Sequence, residues 1–85
     1  MSRYLDSKEL LDEVWREYDR AIMKYGNFKS LHEGYAIFLE EVDELWTEIK
    51  KKNRDPKKLH DECIQVTAMA LKFLMFLNDD KVVIE

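Results

Sequence analysis

The chain has 85 residues, with 14 Lys and Arg set against 18 Asp and Glu for a formal charge of −4. That length holds one domain and leaves no room for a second, and the acidic balance lacks the basic footprint on which nucleic-acid binding runs. The one cysteine, Cys63, excludes an intrachain disulfide and fits a reducing, cytoplasmic compartment.

Taken in order, Met1 to Leu5 read as a loosely docked lead without the charged-then-apolar layout of a signal peptide. Asp6 followed by Glu9 forms a capping-box pattern. Leu11, Val14, Trp15, Tyr18, Ile22 and Tyr25 then recur at helical spacing, which predicts a first helix over 7–25 with its aromatics in a core. Gly26 closes it, since glycine enters the left-handed region without penalty. After the connector Asn27-Phe28-Lys29, a second capping box, Ser30 to Glu33, opens the next helix. Leu31, Tyr35, Phe38, Val42, Leu45 and Ile49 trace its expected buried stripe, with Leu39 and Trp46 alongside. Gly34 in the first turn costs about 1 kcal/mol relative to alanine, which points to close approach by a backbone or a ligand. The second helix is expected to end near Lys52, where Lys50, Lys51 and Lys52 suit the negative end of the macrodipole.

Asp55 and Pro56 provide an N-cap and a first helical residue, so a third helix is predicted from Pro56 to about Leu77, ended by Asn78 or Asp79. Its second half, from Val66 to Leu77, is apolar nearly all round, as in a helix surrounded by protein. The run Cys63 to Leu77 is about 15 residues and interrupted by Gln65, Thr67 and Lys72, short of the roughly 20 needed to cross a membrane. The tail from Lys81 to Glu85 is too short for a helix and is expected to pack along a neighbour or extend. The fold class is therefore all-α: a three-helix protomer with a short C-terminal tail. Two partners cannot cover the third helix, so a homodimer or homotetramer forming a helical bundle is expected.

The chemistry lies in Leu39-Glu40-Glu41-Val42-Asp43-Glu44-Leu45-Trp46 and, later, Asp61-Glu62-Cys63-Ile64-Gln65. Residues three and four apart share a helical face, so Glu41 stacks with Glu44, Glu40 with Glu44, and Glu62 with Gln65. If the two helices pack as an antiparallel hairpin, the polar pairs face each other across a groove. Carboxylates gathered in that way repel unless a cation neutralises them. A lone acidic helix is more commonly a solvated face, and a divalent metal site is the first alternative if Glu62 stands opposite. Asp61 reads as a helix-start charge or a partner for Lys57 or Lys58, and Cys63 as a small buried hydrophobe. His32 and His60 read as surface histidines. Lys72 sits two turns beyond Gln65 inside an apolar run, and either reaches a phosphate or snorkels to the surface.

Tyr25-Gly26-Asn27-Phe28-Lys29-Ser30, His32-Glu33-Gly34-Tyr35-Ala36 and the Leu39 to Trp46 stretch together resemble the MazG-like nucleotide pyrophosphohydrolases, the all-α NTP pyrophosphatase superfamily. Glu62 to Ala70 stands where that family has its second motif, and the resemblance covers about residues 25 to 76. It implies Mg²⁺-dependent (or Mn²⁺-dependent) hydrolysis of a nucleoside triphosphate to the monophosphate and pyrophosphate. It further implies Glu41, Glu44, Glu62 and Gln65 as metal ligands, with Glu40 behind them or orienting a water. Lys29, Phe28, His32 and Lys72 are the candidates for touching the nucleotide. The family's E-E-x-x-E half is matched by Glu40, Glu41 and Glu44, but Gln65 replaces the expected aspartate. An amide oxygen brings no charge, so two further readings stand: a weak or inactive module that binds nucleotide or a protein, and a purely structural oligomer.

Overall fold

Side-chain caps divide the chain into three helices. The computed structural model describes residues 5–79, 81 and 82: α1 (Ser7–Tyr25), α2 (Leu31–Lys50) and α3 (Pro56–Leu77), with no strand among the described residues. None of these helices is long and apolar enough to cross a membrane. Asp6 accepts the Glu9 N–H at 2.8 Å while Glu9 accepts the Asp6 N–H at 3.1 Å, closing the expected capping box of α1. Gly26 ends it at φ 72, ψ −168. That is an extended conformation at positive φ, open essentially to glycine alone, rather than the left-handed helical one.

At α2 the capping box is displaced. Ser30 Oγ accepts the Glu33 N–H at 3.0 Å, but Glu33 reaches past Ser30 and accepts from the Lys29 N–H at 2.7 Å. The helix stops at Lys50, earlier than the lysine run predicts, with Lys51 as cap. There Arg54 Nε donates to the Ile49 carbonyl at 2.5 Å and satisfies one terminal acceptor. In α3, Asp55 accepts the Lys57 N–H at 3.0 Å ahead of Pro56, and Lys57 pairs with Asp61 at 2.7 Å. Asn78 caps the far end.

Both α1 and α2 pack against α3, and neither packs against the other. Glu13 meets His60 at 2.8 Å near one end and Tyr25 lies by Lys72 near the other, so α1 runs parallel to α3. Gly34 lies against Phe73 and Glu44 near Glu62, so α2 runs antiparallel to it. His60, expected at the surface, is thereby half-buried in the joint between α1 and α3.

The core is Val14, Ala21, Phe28, Ala68, Met69 and Phe76, with Leu31, Ile37, Phe38, Ile64, Leu71, Phe73 and Val82 packed around it. Phe28 makes edge contacts with Phe73 and Phe76 at 5.8 and 6.1 Å. Several residues expected inside are exposed: Trp15 and Tyr25 on α1, and Tyr35, Leu39, Trp46 and Ile49 on α2. The physical reason is rotational. The side of α2 that meets α3 carries Gly34, Ile37, Phe38, Glu41, Leu45 and Glu48, so the expected stripe is turned part-way out: Leu31, Phe38 and Leu45 stay on the inner side while Tyr35 and Ile49, with Leu39 and Trp46, turn outward. Cys63 is exposed rather than buried. Val82 packs on the core, whereas the remainder of the expected tail, 83–85, and most of the lead, 1–4, lie outside the described residues.

Gly34 is explained by side chains rather than by a backbone or ligand. A Cβ there would stand 3.0 Å from Phe73 Cε1 and 3.1 Å from Phe28 Cδ2. Gly34→Ala gains roughly 1 kcal/mol of helix propensity but forces apart two rings held in the core, at a cost of about 1–3 kcal/mol. We expect a net loss near 1 kcal/mol in urea unfolding. Equal or higher stability would show that Phe73 swings aside freely.

Candidate metal centre and its cleft

Glu41, Glu44 and Glu62 converge. Each offers a carboxylate oxygen, and these atoms all lie within 4.8 Å of one another. The first two come from adjacent turns of α2 and the third from α3, so the arrangement exists only once the helices have packed. Glu48, a further turn along α2, is buried, pairs with Lys51 at 2.8 Å and adds its charge to the field at Glu62.

The cluster is electrostatically unsatisfied. Burial, then the charges of Glu44, Glu62, Glu40 and Glu17, push the Glu41 carboxyl up from 4.5 to about 6. Glu62 is raised by burial first and then by Glu44, with Lys58 opposing. Its Oε2 is buried without a hydrogen-bond partner among the described residues, a state that costs free energy unless a proton or cation arrives. Three hard oxygen donors drawn together, on carboxylates of which one carries an unpartnered oxygen, suit Mg²⁺ or Mn²⁺. The donor set fits such an ion.

Glu41 also lines a cleft of about 600 Å³ that runs between α1 and α2 over α3. Glu40, Glu41, Gln65 and Glu17 lie at one end, and Tyr25, Phe28, Lys29, Glu33 and Lys72 at the other, with Ala21, Ile37 and Met69 between them. Gln65 thus stands beside the acidic cluster at the mouth of the cleft, and it also borders a shallower depression with Glu13, Arg16 and Asp61. Of the other residues proposed from the sequence, Lys29 and Phe28 line the cleft and Glu40 flanks Glu41. His32 is exposed on the first turn of α2 and is not among the cleft residues. Lys72 does not snorkel: it is 3% exposed, with Nζ 4.4 Å from the Phe28 ring centroid. Burial lowers its pKa, with Glu33 opposing.

Sequence reasoning missed the contribution of α1. Glu17, hydrogen-bonded to Arg20, borders the cleft with Arg20 and Lys24 and reaches Glu41 electrostatically. The spacing of Glu17, Arg20 and Lys24 at three and four residues was the available signal, since it marks one polar face. The row Glu41, Glu44, Glu48 carried a similar signal for Glu48.

No family model, curated protein or solved structure matches the chain.

Between pH 4.5 and about 6 folded Glu41 keeps a proton that the unfolded chain has released. The native state then binds more protons, so the contribution of Glu41 to stability falls as pH rises through that window. In chelator, the melting temperature of the wild type is expected to drop relative to Glu41→Gln across this range, and added Mg²⁺ to recover it only in the wild type. Parallel profiles would show that Glu41 is not held above its usual range.

Proposed function

We propose that the protein is a Mg²⁺-dependent nucleoside triphosphate pyrophosphohydrolase of the MazG-like type, giving the nucleoside monophosphate and pyrophosphate. The observation that carries this reading is the junction of two features at Glu41: a three-carboxylate cluster with an orphaned buried oxygen, and a cleft whose far end is cationic and aromatic. Glu41, Glu44 and Glu62 would hold the ion, with Gln65 as a neutral fourth ligand. Mg²⁺ in such a site supplies the positive charge that a polyphosphate and an incoming water both require. Glu40, exposed beside Glu41, would orient that water. Arg20, beside Glu17 on the rim, would offer charge to the phosphates. Exposed Cys63 fits a reducing, cytoplasmic setting.

A second reading is favoured by Gln65. With one fewer negative charge than a four-carboxylate centre, the site holds a second cation less tightly, and the same cleft would then serve a module that binds nucleotide without turning it over. Pyrophosphate release from a panel of standard and modified triphosphates, with Mg²⁺ or Mn²⁺, decides between them. The enzyme reading expects turnover that falls at least a hundredfold in Glu44→Gln, a loss on the scale of one electrostatic contact at the reacting centre. A silent wild type with an active Gln65→Asp would assign the lost chemistry to that one residue. Silence from both would favour the binding module.

We also propose that the protomer pairs with a second copy. Tyr35, Leu39, Trp46 and Ile49 are exposed along the outer side of α2 at helical spacing, with half-buried Val42 among them, and Trp46 is 54% exposed. On α3, Leu74 and Leu77 are likewise uncovered. Apolar rows of this length on a small domain mark association surfaces. Trp46→Glu is expected to shift the sedimenting species towards the monomer while leaving Mg²⁺ binding in place. A wild type that sediments as a monomer at all concentrations would refute the pairing.

A further inference from the structure

Lys72 is a buried cation at the end of the cleft opposite the carboxylates. Its Nζ lies 4.4 Å from the Phe28 ring centroid and 6.0 Å from that of Tyr25. Among the described residues no carboxylate stands within ion-pair distance of it. Glu33 acts on it from farther off, and one Glu33 oxygen is already committed to the Lys29 N–H. The ammonium is therefore balanced by ring faces and keeps donor capacity for a ligand.

A phosphate is a poor match for that position. Phe28 lines this end of the cleft with Phe73 and Phe76 packed on it, and burying a dianion against that apolar wall carries a heavy desolvation cost. Exposed Arg20, beside Glu17 and nearer the acidic end, would serve phosphates without that cost. A neutral acceptor suits Lys72 better. From Gln65, at the acidic end, to Lys72 is two turns of α3, roughly 10 Å along the helix. That is the reach from a metal-held phosphate across a sugar to the distal edge of a base. Tyr25, 67% exposed at the same end, presents a ring on which a base can stack.

The geometry points to this end of the cleft as a nucleobase pocket in which the Lys72 ammonium donates to the ring carbonyl farthest from the sugar, selecting oxo bases such as uracil or guanine over amino bases such as cytosine or adenine. The inference rests on the nucleotide reading of the cleft. Its logic is that an ammonium has three donors and no acceptor. It satisfies a carbonyl oxygen, and it meets an exocyclic amino group donor to donor.

The test is calorimetric binding of the hydrolysis-resistant α,β-methylene analogues of UTP and CTP in Mg²⁺, to the wild type and to Lys72→Met. Replacing a buried charge by an apolar group of similar shape is well tolerated, and a thermal melt checks that the variant is folded. The wild type is expected to bind the uracil analogue about tenfold more tightly, the scale of one hydrogen bond from a charged donor, and Lys72→Met to lose that preference by weakening the uracil analogue alone. Equal weakening of both analogues would assign Lys72 to the phosphates and overturn the pocket, as would a wild type without preference. Turnover of UTP and CTP, assayed separately, keeps the two ideas apart. Hydrolysis without base preference overturns the pocket alone, whereas uracil-selective binding without hydrolysis overturns only the enzyme reading. No binding of either analogue overturns both.

Discussion

Among the described residues α1 and α2 each pack on α3 and not on each other, and the rest of the molecule follows from that. A buried row of Ala68, Met69, Lys72 and Phe76 runs down α3. Ala68 is 0% exposed, small enough for close packing there. Because α1 and α2 meet α3 and not each other, a cleft is left above α3 between them. The rigid rise of one helix then fixes what stands at each end. Gln65 and Glu62 lie towards the amino-terminal part of α3, Lys72 two turns on. The spacing of Glu62 and Gln65 from Lys72 is thus a property of one helix, while Glu41 and Glu44 of α2 complete the acidic end and Phe28 and Lys29 of the α1–α2 connector complete the cationic one.

That arrangement places like charges together. Local rules of folding would put Glu41 and Glu62 in water or opposite a lysine, yet Glu41 is half-buried and Glu62 has an orphaned oxygen. Lys58 opposes the rise at Glu62 but does not cancel it. Where lysines were available to neutralise carboxylates, they do so elsewhere: Lys51 with Glu48 and Lys57 with Asp61. Disagreement between local chemistry and global fold concentrates at functional sites. Protonation relieves the conflict only at low pH, whereas a divalent cation relieves it at neutrality.

The boundaries of the helices were legible because capping is local. Asp6, Ser30 and Asp55 announce their helices with a side chain and a neighbour three residues or fewer away, and Gly26 and Asn78 close theirs. The meeting of Glu41, Glu44 and Glu62 was legible as well, since helical spacing supplies two of the three and antiparallel packing the third. What the sequence hid was which face of α2 turns inward. Periodicity reveals that an apolar stripe exists without revealing what covers it, and Tyr35, Leu39, Trp46 and Ile49 looked like core for that reason. Cys63 was misread on the same ground: its apolar neighbours in sequence are not its neighbours in space. The role of Glu17 was hidden more deeply, because no local pattern says that α1 will lie along α3 in parallel and bring an acid to the cleft.

The rotation of α2 has a structural logic of its own. At 100° per residue, the row Glu41, Glu44, Glu48 and the row Tyr35, Leu39, Val42, Trp46, Ile49 are centred about 150° apart on the helix. One helix therefore presents carboxylates to α3 and an apolar strip to the outside. Had the strip faced α3, as the hydrophobic pattern alone favours, the carboxylates would have pointed into solvent and Glu62 would have had no partners for a cation. The proposed second copy would recover on this strip the burial that the protomer forgoes, and would do so on the side of α2 away from the cleft. Pairing of that kind can stabilise the fold without occupying the site. The apolar surface and the acidic site are in this sense one choice of helix rotation, seen from its two sides.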